Sequence, residues 1–345
     1  MFFASDNAGP VAPSVMQAIA KANTGYAMPY GEDPLTTHTR DMIRDLFEAP
    51  KAEVFLVPTG TAANALALGT IARPWDAIYC HPDAHIAVHE NNAAGFYTGG
   101  ARLVTVKGPS CRIDPGALKA AIAAQDAPSP GVVSLTQVTD LGTVYTLDEI
   151  RDLTGIARRS GAVSHMDGAR FANALVALGC TPAEMSWKAG IDVLSFGGTK
   201  NGMLGAEAVI FFKPSLAPDF ATRRLRGGHM VSRQRFMAAQ FIACLKDDLW
   251  LDLAGRSNST AERLETRLRA VPDLRFLHER HANIIFAAWP RRRHRAARAA
   301  GAVYYTIPED ANPNGPDDEM LTARLVTNWA TTHEDVEQFT RVLID

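Results

Sequence analysis

"SFGGTKNG", residues 195–202, closes an apolar run in which Ile191, Val193, Leu194 and Phe196 read as a buried β-strand. Two glycines, a threonine, a lysine, an asparagine and a third glycine then break the run. A strand ending in a glycine-rich turn puts its lysine at the rim of a sheet, where ligands of open α/β sheets bind. Taken alone, Lys200 also reads as a solvated loop lysine, which is the commoner case. Partly desolvated, the same amine is a nucleophile toward an aldehyde.

Outward from this turn the strand signal recurs in "AEVFLVPTG" (52–60), "AIYC" (77–80), "ARLVTVKG" (101–108), "GVVSLTQVT" (131–139), "AVSHMDGAR" (162–170) and "AEAVIFFK" (206–213). Helical spacing lies between them, over 34–47, over "TAANALALGTIA" (61–72) and over 147–161, where Gly161 is the stop. Strands separated by helices predict an α/β fold whose mainly parallel sheet is covered by helices on both faces. The character changes near residue 240. A helix over 261–271, strands over 282–289 and 323–329, and a closing helix over 332–344 with Thr332 as N-cap predict a small C-terminal α+β domain. The expected division is 1–245 for the large domain with its N-terminal segment and 246–345 for the small one. "PEDANPNGPDDE" (308–319) reads as a turn-rich loop.

Composition narrows the partners. The 345 residues carry a formal net charge of −2, which gives no electrostatic case for nucleic acid or a membrane surface. The basic run Arg291, Arg292, Arg293, His294 and Arg295 reads as a solvated loop or a helix start. Cys80, Cys111, Cys180 and Cys244 form no C-x-x-C pair, so neither a zinc site nor a disulfide framework is expected. "MFFASDNAGP" lacks a signal-peptide pattern, and no apolar run reaches the length of a membrane span. The expectation is a soluble, cytoplasmic protein.

Three further stretches carry chemistry. In "SHMDGAR" (164–170), Asp167 ends a strand, where a carboxylate can hold a pyridinium nitrogen or cap a helix. In "VPTGTAANALALG", Thr59-Gly60-Thr61 between strand and helix presents unpaired N–H groups, either an anion site or an ordinary capped helix. The turn is neither a P-loop nor a dinucleotide fingerprint. In "HPDAHIAVHENN", His85, His89 and Glu90 have metal-like spacing but not the H-E-x-x-H order, and no metal site is expected. A flat imidazole there can instead stack on a ring or move a proton. Phosphate turn, histidine, aspartate and lysine together are the complement of pyridoxal 5′-phosphate (PLP).

With these residues in place, the chain resembles the L-threonine aldolase branch of the β-eliminating lyases, PLP enzymes of fold type I. The matching stretches are "SDN" (5–7), "YGEDP" (30–34), "TGTAAN" (59–64), "DAHI" (83–86), "HMDGAR" (165–170), "TK" (199–200), "RLRGGHM" (224–230) and "RLVTNW" (324–329). The resemblance implies that Lys200 binds the cofactor covalently, with Thr199 beside it. It implies that Asp167 pairs with the pyridinium, Arg170 lies by the ring hydroxyl and the substrate, and Gly60 and Thr61 hold phosphate. His85 is implied as ring cover and catalytic group, and Ser5 and Arg324 as ligands of an amino acid carboxylate. Tyr30 and Arg224 are implied to come from a neighbouring subunit of a homodimer or homotetramer, with Arg223 and Arg226 as competing alignments for the latter. The implied reaction is cleavage of L-threonine, L-allo-threonine or a related L-β-hydroxy-α-amino acid to glycine and an aldehyde. A phenylserine-type aldolase and a PLP-dependent β-eliminating lyase are the alternatives. One departure stands out: where threonine-preferring members carry Glu-Asn-Thr-His, this chain has "TQVTDLG" (136–142) and no histidine.

Overall fold

The computed structural model describes residues 1–125, 129–308 and 314–344. A seven-stranded sheet is built from β1 (Glu53–Val57), β2 (Ala77–Cys80), β3 (Arg102–Thr105), β4 (Val132–Thr136), β5 (Val163–Gly168), β6 (Val193–Gly197) and β7 (Glu207–Phe211). Their order is β1-β7-β6-β5-β4-β2-β3. Five neighbours, β6 to β3, run parallel, while β7 is antiparallel to both β6 and β1. The expected mainly parallel α/β sheet is therefore present. The carboxyl ends of β1, β4, β5 and β6 all open on one edge, which places the stretches singled out above side by side.

Local chemistry explains the helices that cover the sheet. Gly60–Ile71 starts where the Thr59 hydroxyl accepts from the Ala62 N–H, at 3.1 Å. Its alanines and leucines are buried around nearly the whole circumference, as suits a helix enclosed within the core. Leu147–Ser160 opens with a reciprocal capping box between Thr146 and Glu149 and stops at Gly161, φ 79°. His333–Ile344 is capped by Thr332, whose hydroxyl accepts from the Asp335 N–H.

The C-terminal residues add a second sheet of β8 (Arg275–Phe276), β9 (Ile284–Pro290), β10 (Tyr305–Ile307) and β11 (Met320–Val326), in the order β10-β11-β9-β8 and antiparallel throughout. The helix expected over 261–271 instead runs Leu249–Leu268. Its first half puts Trp250, Leu253 and Ala254 into the large core, and its second half puts Ala261, Leu264 and Leu268 into the small one. The chain start also crosses over: Phe3 packs in the small core, and the Phe3 N–H donates to the Val303 carbonyl. β11 ends at Val326, before Thr327-Asn328-Trp329, and the Thr327 hydroxyl donates to the Ser257 carbonyl. The basic run begins the helix Arg291–Ala299, but Arg291 and His294 face inward, the latter bonded to the Leu321 carbonyl and to Tyr304. Within the loop expected over 308–319, residues 309–313 lie outside the described residues.

Phe196 anchors the edge that carries the site. Its ring meets Phe47, Phe171, Phe241 and Trp250 at centroid separations of 5.4, 5.6, 5.9 and 5.6 Å, within the range of favourable aromatic contacts. We expect Phe196→Ala to reduce unfolding free energy by about 3–5 kcal/mol, read by denaturant titration; a loss below about 1 kcal/mol would show that the cluster repacks freely.

Candidate active site

The sheet delivers Lys200 through two close backbone approaches. A Cβ on Gly197 would stand 2.5 Å from the Ala169 carbonyl oxygen, and one on Gly198 would stand 2.6 Å from the Ala206 carbonyl oxygen. Only glycine fits at either position, so the end of β6 lies against the turn that follows β5. Across that junction Asp167 is in register with Ser195 on β6 and with Thr136 on β4.

Asp167 is buried and does not cap the helix that follows, whose N-cap is Arg170. Its Oδ1 accepts from the Ala169 N–H at 3.0 Å, and its Oδ2 from Asn64 Nδ2 at 2.9 Å. Asn64 Nδ2 donates equally to Glu90 Oε1, at 2.9 Å, and that oxygen lies 2.8 Å from His85 Nδ1. A continuous chain, His85–Glu90–Asn64–Asp167, thus lines one wall. Burial depresses the His85 imidazole, but the bond to Glu90 and the charges of Asp167 and Asp140 outweigh it and raise its pKa. Burial raises the Glu90 carboxyl too, with the His85 bond offsetting only part.

Two cavities meet at Lys200. The first, about 530 Å³, is lined by Thr59, Gly60, Thr61, Asp167, Thr199 and Lys200, among others. The second, about 400 Å³, is lined by Ser5, Asp140, Arg170, Tyr305, Arg324 and again Lys200. His85 borders both. Lys200 keeps surface on each cavity, yet burial, and next the Arg170 guanidinium, push its amine below the usual lysine range; Asp6, Asp167 and Asp140 counter this in part.

The second cavity is cationic on one side. Arg170 is clamped in bidentate fashion by Asp6, Nε to Oδ2 at 2.6 Å and Nη2 to Oδ1 at 3.0 Å. Arg324, from β11 of the small sheet, donates to the Ala4 carbonyl at 3.4 Å and forms no ion pair among the described residues. Burial and the nearby Arg170 charge lower its pKa. An enclosed guanidinium of this kind suits a ligand carboxylate. Ser5, on the same wall, caps the turn Asp6–Ala8.

Two sequence-derived candidates lie apart from these cavities. Tyr30, φ 60°, is exposed, and its N–H donates to the Ser232 carbonyl. Arg224 is buried within its own chain, donates to the Leu56 carbonyl at 2.9 Å and covers the Phe55 ring. Conversely, Asp6, Asn64, Asp140 and Glu207 escaped the sequence reading, and Glu90 entered it only as a metal-ligand possibility. The stretch without a histidine supplies Asp140, whose Oδ2 accepts the His85 N–H at 3.0 Å. Ligand-type atoms of His81, Asp83 and Cys111, and of His85, Glu90 and Asp167, lie within 4.8 Å of one another. In the first group both imidazole nitrogens are already engaged, with the Asp83 N–H and the Gly108 carbonyl, and in the second His85 Nδ1 faces Glu90.

The first cavity fits PLP. At Gly60 an added Cβ would meet nothing within 4 Å, so the start of the Gly60–Ile71 helix opens onto free space. Helix-start N–H groups and the Thr61 hydroxyl suit a phosphate, Asp167 suits a ring nitrogen and Lys200 suits an aldehyde.

Residues 3–289 match the β-eliminating lyase family. The low specificity L-threonine aldolase of Pseudomonas aeruginosa is 38% identical over 342 residues, covering 98% of this chain and 96% of that protein. The enzyme of the same description from a second Pseudomonas strain is 39% identical over 308 residues, 88% and 89% of the two chains. Among solved structures, the Leishmania major threonine aldolase superposes with a TM-score of 0.91 at 26% identity, covering 99% of this chain and 98% of the other. Sequence match, fold and the placement of lysine and aspartate agree, and the chain belongs to the β-eliminating lyase family.

Proposed function

We propose that this protein is a PLP-dependent aldolase that cleaves L-threonine and L-allo-threonine to glycine and acetaldehyde, reversibly, and accepts related L-β-hydroxy-α-amino acids. The observation that carries this reading is the position of Lys200 between two cavities, with Asp167 on one and Arg170 with Arg324 on the other. The name shared by the Pseudomonas relatives supports the choice of substrate.

Gly60, Thr61 and Thr199 would hold the phosphate, Lys200 the aldehyde carbon and Asp167 the ring nitrogen, with His85 over the ring. Bound in this way, PLP supplies an electron sink for the pair released when the substrate Cα–Cβ bond breaks. The protein does the rest. Arg324, with Ser5 and Arg170, receives the substrate carboxylate and orients the bond to be broken. Asp6 fixes Arg170, so the clamp is rigid before substrate enters. His85 Nδ1 is committed to Glu90, which leaves Nε2 to take the β-hydroxyl proton, directly or through a water. The imidazolium formed is held by Glu90, Asp140 and Asp167. With its pKa lowered, the Lys200 amine would be a competent base or acid at the substrate Cα.

The proposal extends to assembly and location. A homodimer or homotetramer with shared sites is supported by Tyr30, exposed on a loop with Tyr26 and Met28. Arg224 would have to leave the Leu56 carbonyl to serve a neighbour. No helix among the described residues is long and apolar enough to cross a membrane, and we place the protein in the cytoplasm.

Incubated with PLP and L-threonine, the protein should release equimolar acetaldehyde and glycine, followed by coupled alcohol dehydrogenase and amino acid analysis, and Lys200→Ala should release neither. A yellow, cofactor-loaded protein giving no acetaldehyde would reject threonine as substrate. Arg324→Ala should raise KM by about 10- to 100-fold with a smaller change in kcat; an unchanged KM would remove Arg324 from the carboxylate site. Catalysis needs neutral His85, whose pKa is raised, so kcat should fall as pH drops through a value above the ordinary 6.5. Glu90→Gln removes the group that raises it and leaves the burial that lowers it, so the acid limb should move to lower pH. A limb unmoved in Glu90→Gln would show that another group controls it.

A further inference from the structure

Glu207 is the first residue of β7, the strand lying between β1 and β6. It pairs in register with Val57 on one side and with Gly197 on the other. Val57 directly precedes the Pro58–Thr61 turn, and Gly197 directly precedes Gly198-Thr199-Lys200. One carboxyl therefore stands between the candidate anion cradle and the lysine turn, and it lines their common cavity. Its Oε2 accepts from the Gly198 N–H at 2.7 Å, and the adjoining Thr199 hydroxyl accepts at 3.3 Å from the N–H of Ala206, the residue before Glu207. These bonds hold the turn that carries Lys200.

The side chain is 5% exposed. Burial pushes its pKa up to about 7, although the bonds from Thr199 and Gly198 and the Lys200 charge pull the other way. The other titratable groups on the cavity wall are Asp167, Glu90, His85 and His89; the residues that the neighbouring β1 end and helix start contribute, Pro58 to Thr61 and Asn64, are uncharged. Lys200 is thus the cation that acts on Glu207. An anion arriving in the cradle adds negative charge beside a buried carboxylate, and engagement of the Lys200 amine removes that cation.

We propose that Glu207 positions Lys200 through the Gly198–Thr199 backbone and takes up a proton from solvent when a phosphate-bearing ligand fills the Thr59–Gly60–Thr61 turn. The inference rests on the reading of that turn as the phosphate site of PLP. In the neutral form the carboxyl keeps one acceptor for Gly198 and gains an O–H donor. Ligand binding is then favoured below the carboxyl's own titration and weakens as pH rises through it.

The test is PLP binding to the full-length apoprotein at pH 6.0 to 8.5, followed by absorbance and by proton exchange in weak buffer, for wild type, Glu207→Gln and Glu207→Ala. Glu207→Gln keeps a neutral acceptor of the same shape, and its thermal midpoint reports folding. Above pH of about 7, the ratio of wild-type to Glu207→Gln dissociation constants should grow by up to about tenfold per pH unit. At the alkaline end of the range, where the free carboxyl is ionised, wild type should take up close to one more proton per site than the variant. Glu207→Ala, which loses the acceptor as well, should bind PLP at least about tenfold more weakly than Glu207→Gln at pH 6. Equal pH dependence and proton exchange in wild type and Glu207→Gln would overturn the proton role and leave PLP binding standing. Equal affinities of Glu207→Gln and Glu207→Ala would overturn the positioning role. Failure of wild type to bind PLP at any pH would overturn the phosphate-site reading and this inference with it.

Discussion

The contact on which the site depends is the backbone-to-backbone approach of Gly197 and Ala169. No side chain fits there, so the end of β6 presses on the turn after β5, and Lys200 and Asp167 come to share one cavity. Any other residue would part the two turns by the width of a methyl group. Phe196, immediately before Gly197, anchors the strand from the opposite face, inside an aromatic cluster. Freedom on one face and tight packing on the other fix the amine without a dedicated loop.

That approach concentrates charge in a buried place, and the surrounding residues are arranged to balance it. Removing an ion from water costs several kcal/mol unless partners replace the hydration. Asp6 clamps Arg170, Asn64 bridges Glu90 and Asp167, and Asp140 accepts the His85 N–H. Lys200 stands amid these pairs with no hydrogen-bonded carboxylate of its own among the described residues. Its amine is therefore depressed and available, while the groups around it are committed.

The second sheet also contributes wall to the second cavity, through Tyr305 and Arg324. Arg324 comes from β11, and Arg170 follows β5, so the cavity they both line forms only where the two sheets meet. The Leu249–Leu268 helix, half in each core, and Phe3, carried into the small core by the N-terminal segment, hold that junction together.

Much of this was legible in the chain itself. Apolar runs ended by glycine, with capped helices between them, determined an α/β sheet, because period, caps and breakers are local properties. The lysine, the aspartate, the threonine turn and His85 could be named from residue type and from their places at strand ends. The antiparallel setting of β7, between two strands distant in sequence, was decided by the tertiary structure, and with it the place of Glu207 between cradle and lysine. So were the burial of Arg291 and His294 in what reads as a solvated basic run, and the chain from His85 through Glu90 and Asn64 to Asp167. Arg224, assigned to a neighbour by resemblance, lies buried in its own chain. The physical reason is common to all of these. Residue type and periodicity are written locally, whereas the partner of a buried polar group is set by which distant strands and helices the packed core brings within about 3 Å.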